Sequence, residues 1–272
     1  LLPVSNSYFT QDELQNINIY EKCNEAVVNI NTKVTTYDWF LEPYVQDGGS
    51  GSGSIIDKRG YILTNVHVIQ NATIIYVSLF DGTQYEAKIV GQDLDSDLAV
   101  IKFDPPEGMD LKTISFGDST NLKVGQKVIA IGNPFGMERT MTTGIVSGLG
   151  RPIQHSNKRI IRNMIQTDTA INPGNSGGAL VDNEGKLIGI TNAKLVSEDF
   201  EGMGFAIPVD KVTEICDGII TGKGSAQPYI GVNINTSYTA EILESQGLPA
   251  GAVVGSVILN SPAANAGIKA FD

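Results

Sequence analysis

The apolar and polar residues between positions 26 and 208 alternate in short runs separated by glycine-containing turns. Runs rich in Val, Ile and Thr with a period of two residues are typical of half-buried β-strands. Two hairpins are predicted, over Gly51–Val68 and Ile74–Val90, and the second turns at Asp81-Gly82, a favoured short-hairpin pair. The other predicted strands are Leu98–Phe103, Lys127–Gly132, Thr142–Leu149, Ile160–Gln166, Ala179–Val181, Leu187–Thr191 and Gly204–Ile207. The pattern therefore predicts an all-β domain.

The segments on either side of this region have different patterns. Tyr8–Asn24 is polar with isolated aromatic residues, which leaves a helix and an extended arm as alternatives. Residues 208–222 carry apolar side chains at helical spacing before two glycines, so a helix is predicted to close the β domain. A short linker and further apolar runs follow, as at the start of a second small domain. We therefore divide the chain into an N-terminal arm (1–25), a β domain (26–224) and part of a second module (225–272).

Composition and charge narrow the functional classes. The chain has 272 residues and a net charge of −11, and its basic residues are scattered, which argues against a nucleic-acid-binding protein. Cys23 and Cys216 are predicted to be two unpaired thiols. No apolar stretch approaches the length that spans a bilayer, and the start at Leu1 without methionine leads us to expect a removed leader or anchor.

The sharpest motif in the chain is Gly174-Asn175-Ser176-Gly177-Gly178. A serine hydroxyl is a weak nucleophile unless a base takes its proton, and the resulting oxyanion needs preorganised donors. The small glycines leave backbone N–H groups free to converge, so the amides of Gly174 and Ser176 are predicted to form an oxyanion hole. Taken by itself, the motif also fits a glycine-rich β-turn without chemistry, and the nucleophile elbow of α/β-hydrolases.

The order of residues along the chain separates these alternatives. The two histidines, His67 and His155, both precede Ser176, whereas an α/β-hydrolase has its histidine after the serine. The order His–Asp–Ser with His67 and the subtilisin order Asp–His–Ser with His155 remain. The subtilisin fold needs alternating strands and helices, which this β-rich sequence lacks.

The setting of each histidine favours His67 as the general base. His67 follows a predicted strand in an apolar segment, where an imidazole is held neutral and ready to accept a proton. His155 lies in a polar, basic loop where protonation is easy.

The acidic partner of the base is less sharply defined by the residues alone. Asp97 stands directly before the apolar run Leu98–Ile101, at a strand end from which its carboxylate can point inward and orient a histidine. Asp93 and Asp95 remain competitors on spacing alone.

Five separated segments of this chain resemble signatures of the HtrA family and occur in the same order. They are Thr64–Val68, Asp95–Val100, Ile131–Gly136, Thr167–Leu180 and Gly204–Pro208. The resemblance covers about residues 26–272. It implies a chymotrypsin-like protease domain of two β-barrels with the site between them, followed by one or two PDZ modules, and it carries the catalytic roles to His67, Asp97 and Ser176.

The same resemblance implies the finer parts of the site. Gly174, Asn175 and Ser176 would frame the oxyanion hole. The specificity pocket would be lined by Ile171, Leu195 and Met203, although Thr191-Asn192 departs from the usual Asn-Thr order in front of Leu195. In the second module, the carboxylate-binding loop would be formed by Tyr229, Ile230, Gly231 and Val232. The module stops at Asp272, before the segment that supplies the rest of a PDZ groove.

As a functional hypothesis, the resemblance implies an ATP-independent serine endopeptidase that cuts unfolded or misfolded polypeptides outside the cytoplasm. It implies a homotrimer, for which the aromatic residues Tyr8 and Phe9 are candidate contacts, and no metal or organic cofactor. Peptide C-termini would bind at a complete PDZ module. The alternative from another class is a non-catalytic chaperone or peptide-binding scaffold on the same fold, which would not need all three triad residues.

Overall fold

The structure is a computed structural model. It describes residues 8–37, 39–40, 42–134, 139–154, 160–193, 202–220, 230–235, 237–257 and 261–272. The chain divides into two compact units, Leu1–Ser225 and Ala226–Asp272. The first unit carries the five segments that resemble HtrA signatures. The second unit, which contains the predicted carboxylate-binding loop, is described separately below.

The first unit contains two closed antiparallel barrels of six strands each, which confirms the predicted all-β, double-barrel fold. The N-terminal barrel is formed by β1 (Val27–Tyr37), β2 (Pro43–Asp57), β3 (Tyr61–Asn65), β4 (Ile74–Ser78), β5 (Gln84–Asp93) and β6 (Leu98–Lys102). The C-terminal barrel is formed by β7 (Lys127–Gly132), β8 (Thr140–Gln154), β9 (Ile160–Thr167), β10 (Ala179–Val181), β11 (Leu187–Thr191) and β12 (Gly204–Pro208). The strand orders around the barrels are β1-β2-β3-β6-β5-β4 and β10-β11-β12-β9-β8-β7.

The first predicted hairpin is wrong at its C-terminal end. Strand β3 ends at Asn65, and Val66–Ile69 form the short helix α2, so His67 lies on a helical turn beside the strand end. The turn is held at its start because the Val66 N–H donates to the Asp97 carbonyl oxygen at 3.2 Å. The apolar run continues past Asn65 because Val68 and Ile69 are buried in the N-terminal barrel.

The helices resolve the predictions made for the flanking segments. Helix α1 (Gln11–Cys23) begins with a capping box in which Thr10 and Glu13 satisfy each other's backbone N–H groups, so the helix alternative holds for this segment. Helix α3 (Val209–Ile220) closes the β domain as predicted. Among the described residues, no helix combines the length and the apolar character that a transmembrane span requires.

The barrels pack against each other through a shared hydrophobic core cluster. It joins Leu63 and Leu98 of the N-terminal barrel to Ile129 and Ile131 of the C-terminal barrel, together with residues of α1 and α3. Each aliphatic side chain buried in this way contributes about 1.5–3 kcal/mol of stability. The two barrels are thereby fixed against each other, and a site that takes residues from both has a rigid base.

Both cysteines are free thiols, as the sequence predicts, and both lie in this core. Burial raises the pKa of Cys23 to about 11 and that of Cys216 to about 12. A thiol reacts through its thiolate, so these two side chains are packing residues with little nucleophilic character.

The second unit contains a two-stranded antiparallel sheet and two short helices. They are β13 (Val232–Ile234), α4 (Ala240–Ser245), β14 (Val254–Val257) and α5 (Pro262–Asn265). Helix α5 is capped by Ser261, whose hydroxyl accepts the Ala264 N–H and donates to the Gly231 carbonyl at 3.4 Å. These elements agree with the apolar runs read from the sequence.

Candidate active site

The three residues proposed as a catalytic triad come from three separate elements of the first unit. His67 lies on α2, and Asp97 lies in the turn that leads into β6. Ser176 lies in the loop between β9 and β10 of the other barrel. The three residues therefore come from both barrels, as the family resemblance implies for the site.

Asp97 holds the His67 ring and the His67 backbone at the same time. Its Oδ2 lies 2.6 Å from His67 Nδ1, and its Oδ1 accepts the His67 N–H at 3.0 Å. These two contacts fix the orientation of the His67 ring. Because a carboxylate only accepts hydrogen bonds, Nδ1 carries the hydrogen, and Nε2 is left as the acceptor. Asp93, the competitor from the sequence, instead accepts the Asp95 N–H. His155 lies outside the described residues.

The backbone of Asp97 has a left-handed conformation, with φ of 57°. Asp tolerates this region better than most residues, but it occurs rarely outside turns and functional sites. Two contacts hold it in place: the Asn65 amide and the Val66 N–H both donate to the Asp97 carbonyl oxygen. The conformation turns the carboxylate away from solvent and towards His67.

The carboxylate has a further donor that the sequence did not reveal. The Asn192 amide donates to Asp97 Oδ2 at 2.8 Å, and both residues are buried. Burial acts to raise the pKa of Asp97, but the hydrogen bonds from His67 and Asn192 outweigh it and lower the pKa below its ordinary value. The group is therefore ionised at neutral pH, as a residue that stabilises an imidazolium must be.

Ser176 is buried, and its hydroxyl is held on the side of strand β11. Its Oγ accepts the N–H of Ala193, the second residue beyond that strand, at 3.0 Å. Among the hydrogen bonds of the described residues, none joins Ser176 Oγ to His67. Hydrogen bonds between nucleophile and base are often long in a site without substrate and shorten when substrate binds.

The loop Gly174–Gly178, named here the nucleophile loop after the role proposed for Ser176, needs glycine at two positions. Gly174 and Gly177 have φ of 97° and 82°, a region that residues with a Cβ atom rarely adopt. A Cβ on Gly177 would also overlap the Ser52 carbonyl oxygen of the N-terminal barrel, and one on Gly174 would overlap Pro134. The glycine at position 177 therefore lets the loop approach the N-terminal barrel closely.

The backbone N–H groups of the loop fall into two classes. The N–H groups of Gly174 and Ser176 have no acceptor among the described residues, so both are available to an oxyanion. The Asn175 N–H, which lies between them in the chain, donates to the Asn172 carbonyl oxygen at 3.0 Å. Asn175 therefore lies between the two free N–H donors in the chain, but its own N–H is not available to an oxyanion.

Two of the three predicted pocket residues are neighbours of Gly204. Ile171 is buried, and its Cδ1 lies 2.8 Å from the position that a Cβ on Gly204 would occupy, so the glycine makes room for it. Met203 precedes Gly204 directly and packs, partly buried, on the main core. Leu195 lies outside the described residues. Among the residues that are described, no cluster of acidic, histidine and cysteine side chains could hold a metal ion.

The predicted carboxylate-binding loop is only partly described. Gly231 has φ of 83°, the Ile230 carbonyl accepts the Ala263 N–H at 2.7 Å, and Val232 begins β13. Tyr229 lies outside the described residues.

Comparison with known proteins agrees with this geometry. Residues 51–190 match the family model described as "Trypsin-like peptidase domain". The chain is 42% identical over 261 residues to Protease Do-like 1, chloroplastic, of Arabidopsis thaliana, covering 95% of this chain and 58% of the relative. It is 45% identical over 226 residues to the periplasmic serine endoprotease DegP of Escherichia coli K12, covering 82% of this chain and 47% of the relative.

A solved structure gives the same result at the level of the fold. The HtrA-type protease AlgW with a decapeptide superposes with a TM-score of 0.74 at 35% identity, covering 94% of this chain and 87% of AlgW. The chain spans about half the length of the curated relatives it matches. By its matching family model, its double barrel and these relatives, the chain belongs to the HtrA family of trypsin-like serine proteases.

Proposed function

We propose that this chain is a serine endopeptidase in which Ser176 is the nucleophile, His67 the general base and Asp97 the residue that orients the base. One observation carries the proposal: Oδ2 of the buried Asp97 carboxylate lies 2.6 Å from Nδ1 of His67. Ser176 comes from the other barrel, at the interface between the two. A scaffold that only binds peptides has no need of a buried ionised carboxylate against a histidine, because burying a charge is costly.

In the proposed reaction, the Ser176 hydroxyl leaves Ala193 and turns towards His67 Nε2 as substrate binds. Oγ then attacks the peptide carbonyl carbon while its proton passes to Nε2. The carbonyl oxygen becomes an oxyanion, which the N–H groups of Gly174 and Ser176 stabilise. Asp97 stabilises the imidazolium that forms.

Collapse of this intermediate completes acylation. The C–N bond breaks, the imidazolium gives its proton to the leaving amine, and an ester joins the acyl group to Ser176. Water then attacks the ester with His67 again as base, and the second collapse releases the acid and the free hydroxyl. Each proton is returned, so no cofactor is required in this scheme.

Casein labelled with a fluorophore tests the function directly. We expect hydrolysis without added ATP, and complete inhibition by a peptidyl phosphonate that adds 1:1 to Ser176 in the mass spectrum. A matched reaction with the hydrolysed phosphonate controls for non-covalent effects. Binding of casein without cleavage, and no adduct, would favour the scaffold alternative.

We propose unfolded or misfolded polypeptides as substrates and an extracytoplasmic location. The name of one relative supports the location and a polypeptide substrate, since DegP of E. coli is called a periplasmic serine endoprotease. AlgW was solved with a decapeptide, a ligand of the same chemical class. We also propose that the second unit belongs to a PDZ module in which Tyr229, Ile230, Gly231 and Val232 would receive a peptide carboxylate.

The residue accepted before the scissile bond is proposed to be small and aliphatic. Ile171 and Met203, together with Leu195, supply apolar side chains and no carboxylate, so a Lys or Arg side chain would be buried without a partner. We expect cleavage of casein mainly after Val and Ala. Discrimination between these two should be modest, because one methylene is worth about 1–3 kcal/mol in such a pocket.

The variant Ile171→Asp is expected to move cleavage towards Lys and Arg, because it places a carboxylate in the apolar pocket. Ile160→Asp, the same change at an exposed position, is the control and should leave the cleavage sites unchanged. Fragments are identified by mass spectrometry. A majority of cuts after Lys or Arg by the unmodified protein would contradict the assignment of the pocket.

We propose a homotrimer with contacts from Tyr8 and Phe9. Both aromatic side chains are exposed in the isolated chain, so they are available for a contact with a neighbouring subunit. Sedimentation at micromolar concentration is expected to show a trimer, and Tyr8→Ala with Phe9→Ala should shift it towards monomer. A monomer in the unmodified protein would contradict the trimer, and an unchanged trimer in the double variant would contradict these contacts.

A further inference from the structure

The nucleophile loop belongs to the C-terminal barrel, yet two of its backbone groups are held by Ser52 of the N-terminal barrel. The Ser52 hydroxyl donates to the Gly174 carbonyl oxygen at 2.7 Å, and the Ser52 N–H donates to the Ser176 carbonyl oxygen at 2.8 Å. The same hydroxyl accepts the Asn133 N–H at 2.7 Å. Ser52 is fully buried, so water has no access to replace these bonds.

Fixing the Gly174 carbonyl fixes the peptide plane between the two free N–H donors. Gly174 C=O and Asn175 N–H belong to one planar trans peptide and point in opposite directions. The oxygen is held by Ser52 and the N–H by the Asn172 carbonyl, so both ends of this plane are anchored. The Gly174 N–H and the Ser176 N–H belong to the planes on either side of it.

The plane that carries the Ser176 N–H is anchored by a second hydroxyl. Its oxygen belongs to Asn175 and accepts the Thr191 hydroxyl of strand β11 at 2.6 Å. The N–H of a trans peptide points away from its oxygen, so Thr191 directs the Ser176 N–H to the opposite side. Thr191 is buried, and its hydroxyl also lies 3.2 Å from the Gly178 carbonyl oxygen.

We propose that Ser52 and Thr191 are positioning residues that hold the oxyanion hole open, one from each barrel. Neither hydroxyl contacts the reacting atoms. Each fixes the orientation of a backbone plane, and together they hold the N–H groups of Gly174 and Ser176 convergent before substrate arrives. Because Ser52 belongs to the N-terminal barrel, the oxyanion hole of the C-terminal barrel has its proper geometry only when the two barrels are packed together. The inference rests on the proposed peptidase function.

The chain offers a matched control for Ser52. Ser54 lies two residues further along β2 and is equally buried, but its hydroxyl has no hydrogen-bond partner among the described residues. Ser52→Ala and Ser54→Ala therefore remove the same atom from the same strand, and only the first removes contacts with the nucleophile loop. For Thr191, Thr191→Val removes the hydroxyl at nearly constant shape, and Thr191→Ser keeps it.

The experiment measures kcat and KM on a fluorogenic peptide, with the concentration of competent enzyme set by active-site titration. Removal of one oxyanion donor costs about 100- to 1,000-fold in kcat, and a misdirected donor should cost less. We expect Ser52→Ala and Thr191→Val to lower kcat about 10- to 100-fold at nearly constant KM, because the oxyanion exists only in the transition state. Ser54→Ala and Thr191→Ser should stay within threefold of the unmodified protein.

A second readout separates positioning from general destabilisation. A peptide boronate forms a tetrahedral adduct on Ser176, so its affinity should fall in parallel with kcat, whereas a loss of folded protein would leave the affinity of the remainder unchanged. A kcat for Ser52→Ala equal to that of Ser54→Ala overturns the proposal. If Ser52→Ala fails to fold, the comparison of Thr191→Val with Thr191→Ser tests the proposal instead. Equal kcat values for these two variants would overturn it.

The outcome also distinguishes this inference from the proposed function. A wrong function leaves the unmodified protein without hydrolysis and without a phosphonate adduct. A wrong inference leaves hydrolysis intact and makes all four variants alike.

Discussion

Ser176→Ala is expected to abolish peptidase activity while leaving the fold intact. Loss of the nucleophile in a serine protease triad costs on the order of a million-fold in kcat, and a residual rate from the oxyanion hole and binding remains. The mutation removes one hydrogen bond, that from the Ala193 N–H. A bond of this kind contributes about 0.5–1.5 kcal/mol.

Three measurements check this prediction. Casein cleavage should fall to background, the phosphonate adduct should disappear, and the midpoint of thermal unfolding should shift by no more than a few degrees, since 1 kcal/mol corresponds to roughly 2–4 °C in a domain of this size. Ser115→Ala, at an exposed position, is the control for the substitution itself. Casein cleavage at the unmodified rate by Ser176→Ala would contradict the assignment of the nucleophile.

The sequence carried most of the information about the nucleophile and the base. With two histidines in the chain, both before Ser176, chain order removed one class of enzyme and the β pattern removed a second. Asp97 was a choice among three nearby acids on spacing alone, and the family resemblance favoured it. The structure gives the physical reason, since the left-handed backbone at Asp97 turns this carboxylate to His67.

The fold could be predicted as a class, but the first predicted hairpin begins at Gly51, whereas strand β2 already begins at Pro43. Residues 48–53 form part of β2, although glycine is depleted in strands because it has no side chain to pack. At Gly51 and Gly53, neighbouring side chains fill that space. A Cβ atom at Gly51 would lie 2.7 Å from the Val68 side chain, and one at Gly53 would lie 2.6 Å from the Ile62 side chain. Such a close approach is a property of the packed structure and leaves no periodic signal.

The hydrogen bonds that Ser52 and Asn192 make to distant parts of the chain could not be predicted from the sequence. Ser52 and Gly174 are 122 positions apart, and Asn192 and Asp97 are 95 positions apart. Serine, threonine and asparagine are common in β-rich loops, so nothing in their local sequence marks them as partners of a distant backbone group. One signal was present, the unusual order Thr191-Asn192: the Thr191 hydroxyl donates to the Asn175 carbonyl oxygen, and the Asn192 amide donates to Asp97.

Asp97→Asn is expected to lower kcat by about 10,000-fold at neutral pH without disturbing the fold, a loss known for this substitution in the serine protease triad. The surroundings determine how the new amide must lie. Its oxygen has to replace Oδ1, which accepts the His67 N–H, so its NH₂ group takes the place of Oδ2. The opposite orientation would bring two donors together.

In that orientation the new NH₂ group donates to His67 Nδ1 and forces the hydrogen of the neutral ring onto Nε2, where it blocks proton transfer from Ser176. Asn192 can adapt, because its Oδ1 has no partner among the described residues and a flip of the amide turns this acceptor to the new donor. Nitrogen NMR of the His67 ring should therefore show the hydrogen on Nδ1 in the unmodified protein and on Nε2 in the variant, while thermal unfolding changes little. Asp95→Asn, at the exposed competitor position, should retain both the activity and the ring spectrum of the unmodified protein. Full activity in Asp97→Asn, or a loss of equal size in Asp95→Asn, would show that the histidine is oriented by another group.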